Sequence, residues 1–211
     1  MTTGTSGHRT AQSSHDHINA LRAAQVEQER RRRRRIRIAS VGATVAVIAI
    51  VVAMMLTSRQ ESSSTTRVAP DFTLTDTSGT QVSLSALRGK NVLLYFSEGA
   101  GCQACLVQMS QIEKDPNIAA AGLTVLPIVM NTREQITADM AANGVRTPFL
   151  LDDGTASTAY GTIGKGMHAG LPGHSFVLID KAGNQRWYGE YPSMWLSTAD
   201  LLKEVRAHLT S

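Results

Sequence analysis

Two cysteines separated by two residues are the part of this sequence best suited to chemistry. They lie in Gly101-Cys102-Gln103-Ala104-Cys105 and are the only 2 cysteines among the 211 residues. On the first turn of a helix, unpaired N–H groups and the positive end of the helix dipole would lower the pKa of the Cys102 thiol. Cys105, three residues later on the same helix face, would be near enough to attack a mixed disulfide on Cys102. The spacing therefore predicts Cys102 as the nucleophile and Cys105 as the resolving thiol.

Three other roles for the cysteine pair stay open on spacing alone. A structural disulfide would close so short a loop that it restrains little of the unfolded chain. A zinc site would need two further ligands, for which the C-terminal part of the chain offers His168, His174 and His208. Two inert buried cysteines would also fit. Redox chemistry is favoured by the context, because a strand pattern precedes the pair and a helical pattern follows it.

The elements around the cysteines alternate between strand and helix. The predicted strands are 91–96, 123–130, 175–179 and 185–188, and the predicted helices are 102–121, 133–143 and a last one after Ser197. A break is expected at Asp115-Pro116. Thr132 and Gln135 form a capping box, and Gly144 is the predicted stop of that helix. This order predicts an α/β sandwich with a mixed sheet.

An apolar run near the N-terminus has the length of a membrane span. Residues 38–56 carry no charge, and at about 1.5 Å per residue they would extend roughly 28 Å, close to the ~30 Å hydrocarbon core of a bilayer. Six consecutive arginines at 30–35 precede the run. The pattern predicts a single transmembrane helix at 36–56, with the N-terminus in the cytoplasm and the rest of the chain outside. A buried helix would not explain the arginines, and a signal peptide normally has a shorter apolar region of about 7–15 residues.

The charges divide along the same boundaries. Residues 1–56 hold nine arginines against three acidic residues, whereas residues 68–211 hold ten basic and thirteen acidic residues. The formal net charge of +4 is therefore interpreted as a topology signal rather than as a nucleic-acid-binding surface. We predict a disordered basic tail at 1–35, a flexible linker at 57–67 and one compact domain at 68–211.

Four stretches of that domain resemble a known superfamily. They are APDFTL at 69–74, residues 82–90 with Leu-Arg-Gly-Lys, the strand with Cys102 and Cys105, and residues 171–183. Together they resemble the thioredoxin-like superfamily, specifically the membrane-tethered redoxin branch that groups thiol–disulfide oxidoreductases with alkyl hydroperoxide reductase and thiol-specific antioxidant proteins. The resemblance covers about residues 68–209. It implies a thioredoxin-like fold with a mixed central sheet flanked by helices, preceded here by the single transmembrane helix.

The sequence departs from the family pattern at the cysteines. Gly101 stands where the family usually has a tryptophan, and Gln103-Ala104 replaces the usual Gly-Pro. The peroxiredoxin pattern has a proline and a threonine ahead of its peroxidatic cysteine, where this chain has Tyr95 and Gly99. These departures leave the reduction potential open and favour disulfide exchange over dedicated peroxide reduction.

The resemblance also implies residues that flank the cysteines. A cis-proline is expected opposite them, and Pro172 with Leu171 is the predicted substrate-binding pair, with Pro148 as the rival proline. Glu98 is a candidate proton shuttle for Cys105, although a solvated loop carboxylate is the preferred interpretation. His168 and His174 would either bind a metal or form local hydrogen bonds, and the latter is preferred.

We therefore expect an extracytoplasmic, membrane-tethered thiol–disulfide oxidoreductase that needs no bound cofactor or metal. Its expected partners are protein thiols and disulfides outside the membrane, including a membrane or secreted redox protein, and the lipid bilayer, but no nucleic acid. One alternative is a thiol peroxidase on the same fold. Another is a copper-binding assembly factor that uses the two cysteines and a histidine. The direction of electron flow depends on the reduction potential, which the pattern does not determine.

Overall fold

In a computed structural model of the chain, the described residues are 47–49, 62–63 and 66–209. The predicted tail at 1–35 lies outside them, as does the predicted membrane span at 36–56 apart from residues 47–49, which are helical. Over the described ranges, no helix has both the length and the apolar character that crossing a membrane requires. The membrane span and its orientation stay predictions.

One mixed sheet contains all the strands of the described ranges. The strands are β1 (Ser62–Ser63), β2 (Arg67–Val68), β3 (Thr73–Asp76), β4 (Gln81–Ser83), β5 (Asn91–Phe96), β6 (Leu123–Val129), β7 (Leu150–Leu151), β8 (Ser175–Ile179) and β9 (Asn184–Glu190). Their order is β1-β9-β8-β5-β6-β7-β3-β4, with β2 also paired to β9. The pairs β5–β6 and β6–β7 are parallel and the other pairs are antiparallel. The prediction of a mixed sheet is confirmed.

Helices cover both faces of this sheet. They are α1 (Gln103–Lys114), α2 (Pro116–Ala120), α3 (Arg133–Asn143), α4 (Thr155–Ala159) and α5 (Thr198–Leu209), with a short 3₁₀ turn at Ser85–Leu87. Leu93 and Tyr95 of β5 belong to the core cluster beneath α1, α3 and α5. Val92, Leu94 and Phe96 belong to a second cluster on the opposite face. Side chains of a strand alternate between faces, so a strand covered on both sides has an uninterrupted apolar sequence.

At four boundaries, the helices begin or end at the residues that the sequence predicts. The side chain of Asp115 caps α2, and Pro116 at its first turn separates α2 from α1. The capping box of Thr132 and Gln135 begins α3, and Gly144 ends it with φ 64°. Ser197 caps α5 by accepting the N–H of Asp200 at 3.1 Å. These four boundaries confirm the predicted break between α1 and α2, the start and stop of α3 and the start of α5.

The predicted flexible linker at 57–67 is corrected at its described residues. Ser62–Ser63 pairs with Gly189 and Tyr188 of β9, and Arg67–Val68 pairs with the start of the same strand. Arg67 Nε also donates to Gln185 Oε1 at 3.0 Å. Without these partners β9 would be an edge strand with unpaired N–H and C=O groups.

One edge of the sheet positions the cysteines. The chain leaves β5 at Phe96 and enters α1 at Gln103, and it leaves β6 at Val129 shortly before α3. Since β8 is antiparallel to β5 and pairs Ser175 with Phe96, the chain enters β8 at this same edge. Three loops therefore converge there. Ligand and reaction sites of open α/β sheets commonly lie outside the carboxyl ends of the parallel strands.

Candidate redox site at the N-terminus of helix α1

Cys102 and Cys105 form a disulfide, with their Cα atoms 5.3 Å apart. Cys102 is the N-cap of α1 and partly exposed, whereas Cys105 in the first turn is fully buried. The N–H of Cys105 donates to Cys102 Sγ at 3.3 Å. A partner could therefore reach only the sulfur of Cys102, which also has a hydrogen-bond donor that would stabilise its thiolate. This difference supports the predicted roles of nucleophile and resolving thiol, which stay predictions.

The loop before Cys102 is held by groups from neighbouring elements. The N–H of Ala100 donates to Asn131 Oδ1 at 2.9 Å, and the N–H of Gly101 donates to Asp139 Oδ2 of α3 at 2.7 Å. The N–H of Cys102 donates to the carbonyl oxygen of Gly99 at 3.0 Å. Gly99 and Gly101 have φ values of 73° and 86°, which a residue with a Cβ rarely adopts. The position of Cys102 is thus fixed from outside the helix that carries it.

Glu98 is buried beside this loop, with 3% of its surface exposed. Its Oε2 is 2.7 Å from His168 Nδ1, and its Oε1 accepts the N–H of His168 at 2.9 Å. Burial raises the pKa of Glu98, but the hydrogen bonds from His168 and Met167 outweigh burial, and the pKa is lowered overall. The preferred interpretation of Glu98 as a solvated loop carboxylate is therefore wrong. The role of proton shuttle for Cys105 stays a prediction.

A buried tyrosine and histidine lie behind the disulfide. Tyr95 Oη donates to the carbonyl oxygen of Cys105 at 3.1 Å and is 3.2 Å from His174 Nδ1. Because the hydroxyl has only one proton to donate, His174 must carry its proton on Nδ1. Burial lowers the pKa of His174 to about 4, so its ring is neutral at pH 7. Among the described residues its Nε2 has no hydrogen-bond partner.

His168 and His174 each form a hydrogen bond through Nδ1. His168 contacts Glu98, and His174 contacts Tyr95. Over the described ranges, no three His, Cys, Asp or Glu side chains group closely enough to hold a metal ion. The expected local hydrogen bonds are present at both histidines, and the absence of a metal role stays a prediction.

Pro172 does not adopt the expected peptide geometry. All peptide bonds of the described residues are trans, including that between Leu171 and Pro172, so the expectation of a cis-proline here is wrong. Leu171 donates its N–H to the carbonyl oxygen of His168 at 3.1 Å and accepts from the N–H of Gly164 at 2.9 Å. Its donor is therefore already used within the loop. Pro172 itself is buried and bridges to Ile163, and substrate binding by Leu171 and Pro172 stays a prediction.

Sequence reasoning did not identify Asp139, Asn131 or the role of Tyr95. Tyr95 is the one residue with a polar group in an otherwise apolar part of β5, which is a weak signal that the hydroxyl needs a partner. Asn131 follows a buried strand at the edge where the loops meet. Asp139 carries no local signal, because a carboxylate on a helix is usually solvated.

Comparison with known proteins identifies related sequences. Residues 65–187 match the AhpC/TSA family. A candidate peroxiredoxin of Mycobacterium tuberculosis (strain ATCC 25618 / H37Rv), Rv2521, is 34% identical over 99 residues, which are 46% of this chain and 63% of that protein. The chloroplastic peroxiredoxin Q of Triticum aestivum is 35% identical over 123 residues, covering 55% of this chain and 54% of the relative. The chain thus spans less than two thirds of the length of these relatives.

Solved structures share the fold. A candidate protein disulfide isomerase from Bacteroides thetaiotaomicron superposes with a TM-score of 0.52 and 29% identity, covering 69% of this chain and 89% of that chain. The peroxidoxin BcpB from Mycobacterium tuberculosis superposes with a TM-score of 0.57 and 21% identity, covering 68% and 97%. At 21% identity, the similarity to BcpB is evidence for a shared fold only. The expected thioredoxin-like α/β fold is confirmed.

Proposed function

The chain belongs to the AhpC/TSA family, and we propose from this premise that it is a thiol–disulfide oxidoreductase acting on protein partners. The observation that carries the proposal is the disulfide at the N-terminus of α1, with Cys102 partly exposed and Cys105 buried. Such a pair can offer one sulfur to a large partner and keep the other for resolution.

The reaction needs no group beyond the two cysteines. In the reduced protein, the Cys102 thiolate attacks a sulfur of the partner disulfide, and the partner's other sulfur leaves as a thiolate. The Cys105 thiolate then attacks Cys102 Sγ and releases the second partner thiolate. The partner gains two electrons, and the protein becomes the Cys102–Cys105 disulfide seen here. The reverse sequence oxidises a partner dithiol, and neither direction requires a bound cofactor or metal.

The contacts around Cys102 favour a protein partner over a peroxide. The N–H groups of Ala100, Gly101 and Cys102 already donate to Asn131, Asp139 and Gly99. They are therefore not available to hold a peroxide oxygen or to stabilise the charge that develops on it. An exchange reaction between sulfurs depends less on such donors, because the leaving group is a thiolate.

A second candidate is thiol peroxidase activity, which the names of the relatives favour. The related proteins from Mycobacterium tuberculosis and Triticum aestivum are both named as peroxiredoxins. In that reaction the Cys102 thiolate would attack a peroxide oxygen, releasing an alcohol or water and leaving a sulfenic acid. The Cys105 thiol would then condense with it to form the disulfide and a second product, water.

Glu98 and His168 are proposed to handle the proton of Cys105. The lowered pKa of Glu98 means that it is ionised at neutral pH and can only accept a proton. His168 has a side chain 65% exposed and could pass that proton to solvent. Glu98→Gln should then slow resolution by Cys105 while the first attack by Cys102 keeps its rate, as measured by stopped-flow quenching of a fluorescent mixed disulfide.

The function is tested by assaying one preparation of the full chain in two reactions. We expect the wild type to accelerate disulfide reduction in insulin when supplied with dithiothreitol, and Cys102→Ser to abolish this activity. Consumption of hydrogen peroxide is measured in parallel with the same reductant. Efficient peroxide turnover with no effect on insulin would reject disulfide exchange and favour the peroxidase.

We also propose that the redox domain is tethered to a membrane and faces the extracytoplasmic side. The apolar run at 38–56 and the arginines at 30–35 support this topology. The partners would then be thiols of secreted or membrane proteins. In the full chain expressed in a bacterial host, we expect a reporter active only outside the cytoplasm to be active when fused after residue 211. Recovery of the chain in the soluble fraction would contradict the tether.

A further inference from the structure

A carboxylate of helix α3 contacts the residue next to the reactive cysteine. Asp139 Oδ2 accepts the N–H of Gly101 at 2.7 Å, and Gly101 immediately precedes Cys102. One turn later, Asn143 Oδ1 accepts from the side chain of Gln103, the residue that follows Cys102. Asn143 Nδ2 in turn donates to the carbonyl oxygen of Asp139 at 2.8 Å. Helix α3 therefore holds the chain on both sides of Cys102 and places a charge there.

No positive charge of the described residues pairs with Asp139. Arg133, on the same helix, donates to the carbonyl oxygens of Thr77 and Asp76. The first turn of α1 contains no acidic residue, and its only basic residue near an end is Lys114 in the last turn. The other carboxylate beside the cysteine loop, Glu98, accepts the N–H of His168 at 2.9 Å, and its Oε2 is 2.7 Å from His168 Nδ1. Asp139 is thus the carboxylate that is hydrogen-bonded to the residue next to Cys102, and among the described residues it has no basic partner.

This arrangement opposes the effect of the helix N-terminus on Cys102. The helix dipole and the N–H of Cys105 stabilise a thiolate at Cys102. A neighbouring carboxylate disfavours a second negative charge, and here it also occupies a backbone donor. A stabilised thiolate stabilises the reduced form of a dithiol–disulfide couple, so the couple becomes a stronger oxidant. When the thiolate is less stable, the reduced form is less stable and the couple becomes more reducing.

We propose that Asp139 is a positioning residue that keeps the Cys102–Cys105 couple reducing, so that the protein donates electrons to its partners. The inference rests on the proposed disulfide exchange and assigns it a direction. In the favoured direction the reduced protein loses two electrons, one partner disulfide is broken, and the disulfide between Cys102 and Cys105 forms. The oxidised protein is then returned to its dithiol form by a thiol reductant.

The substitution Asp139→Asn separates charge from geometry. Asparagine keeps a side-chain oxygen that can accept the N–H of Gly101 but carries no charge. We expect its equilibrium constant with glutathione to shift about tenfold toward the dithiol, which is about 30 mV for a two-electron couple. The pH profile of Cys102 alkylation should move to lower pH. Asp139→Ala removes the charge and the contact together and should shift the equilibrium in the same direction.

Glu134→Gln is the matched control. It removes the same charge from the first turn of the same helix, and Glu134 is exposed. Its equilibrium constant and alkylation profile should equal those of the wild type. In the wild type itself, high salt should move the equilibrium toward the dithiol, because it screens a partly exposed carboxylate. This last measurement needs no variant and holds even where a substitution prevents folding.

The full chain is equilibrated with glutathione buffers, and the oxidised fraction is read by alkylation and gel shift. A wild type that never equilibrates between dithiol and disulfide would refute the proposed exchange itself. A wild type that equilibrates normally, with Asp139→Asn and the salt series both unchanged, would overturn only the inference on Asp139. A shift in Asp139→Ala without a shift in Asp139→Asn would also overturn it, because the role would then be structural.

Discussion

The two sulfurs differ in what can reach them, and this difference defines the chemistry at the residue scale. Cys105 is fully buried, whereas Cys102 is partly exposed, so in the proposed reaction a partner disulfide meets Cys102 first. If Cys105 does not release the mixed disulfide on Cys102, the partner stays covalently attached to Cys102. Replacing Cys102 and replacing Cys105 should therefore lead to different products.

Cys105→Ser should accumulate a mixed disulfide with a partner. The Cys102 thiolate is still able to attack, but no second thiol is available to release the complex. The complex is detected as a reducible band on a non-reducing gel and is identified by mass spectrometry. Cys102→Ser is the control and should trap nothing. Equal trapping by both variants would contradict the assigned order of attack.

His174 should make the stability of the protein depend on pH. Its pKa is about 4 in the folded chain and about 6.5 when unfolded. Between these values the unfolded state binds a proton that the folded state does not, so the free energy of unfolding falls as pH decreases from about 6.5 to 4. Near neutral pH both states are neutral and there is no penalty. The loss amounts to about 3 kcal/mol over that range.

His174→Phe should abolish this component of the pH dependence. Phenylalanine keeps ring contacts with Tyr95 and Phe176 but cannot titrate. Urea unfolding at about pH 7.5 and about pH 4.5 should show the variant losing less stability on acidification than the wild type. The control is His208→Gln, since His208 is partly exposed and lies 3.7 Å from Glu204. Identical acid sensitivity in wild type and His174→Phe would refute the assignment.

At the scale of elements, the loop between β5 and α1 depends on the backbone of two glycines. A Cβ at Gly99 would meet Asn131 Oδ1 and the side chain of Val129, whereas a Cβ at Gly101 meets nothing within 4 Å. Both residues have positive φ. Only Gly99 therefore combines backbone strain with a steric clash, and the clash falls on the acceptor that holds Ala100.

Gly99→Ala and Gly101→Ala form a matched pair. Each should lose about 1–2 kcal/mol of stability from the left-handed conformation of a residue with a Cβ. Gly99→Ala should lose more, and its disulfide reductase activity should fall further, because the loop must move away from Asn131. Urea unfolding and the insulin assay measure both effects. Equal losses in the two variants would show that strain alone matters.

Helix α3 should depend on its first turn. Thr132 accepts the N–H of Gln135 at 3.4 Å, and Gln135 Oε1 accepts the N–H of Thr132 at 2.9 Å. Thr132→Ala removes one of these bonds and should lower the free energy of unfolding by about 1 kcal/mol. Thr137→Ala is the control, because Thr137 bonds within the helix to the carbonyl oxygen of Arg133 and alanine favours helices. A larger loss in the control would contradict the capping role.

At the scale of the whole molecule, stability should decrease from the centre of the sheet to its edges. Every residue of β8 is buried, and so are five of the six residues of β5. The two-residue strands β1 and β2 lie beside β9 at one edge, and β4 lies at the other. Elements with the most buried contacts open only in global unfolding, whereas edges open locally.

Hydrogen exchange followed by mass spectrometry should show this gradient. Among strands β3 to β9, we expect the amides of β5 and β8 to exchange slowest and those of β4 to exchange fastest. A reduced sample serves as the comparison, since breaking the disulfide should change exchange around residues 97–105 but leave β8 unaffected. Uniform exchange across the sheet would contradict the predicted gradient.

Local patterns were sufficient for the four central strands β5, β6, β8 and β9, for the long helices and for the reactive pair. These features depend on residues that are close together in the chain, so helix and strand periodicity is enough to predict them. They include strands 91–96 and 175–179, the break at Asp115, the caps of α3 and α5 and the cysteine spacing. Helix α4 was not predicted, and neither were the strands of two to four residues, β1, β2, β3, β4 and β7. Such segments bury too little apolar surface to leave a pattern, and only pairing with a partner strand makes them strands.

The surroundings of the cysteines were decided by the tertiary structure alone. Gly101 and Asp139 are 38 residues apart, Glu98 and His168 are 70 apart, and Tyr95 and His174 are 79 apart. Each contact exists because three loops meet at one edge of the sheet, and no local preference determines which polar side chains face each other there. The sequence alone identified the two sulfurs that we propose to react. The packing of α3 and of residues 162–174 against the cysteine loop determined the charges and hydrogen bonds under which they react.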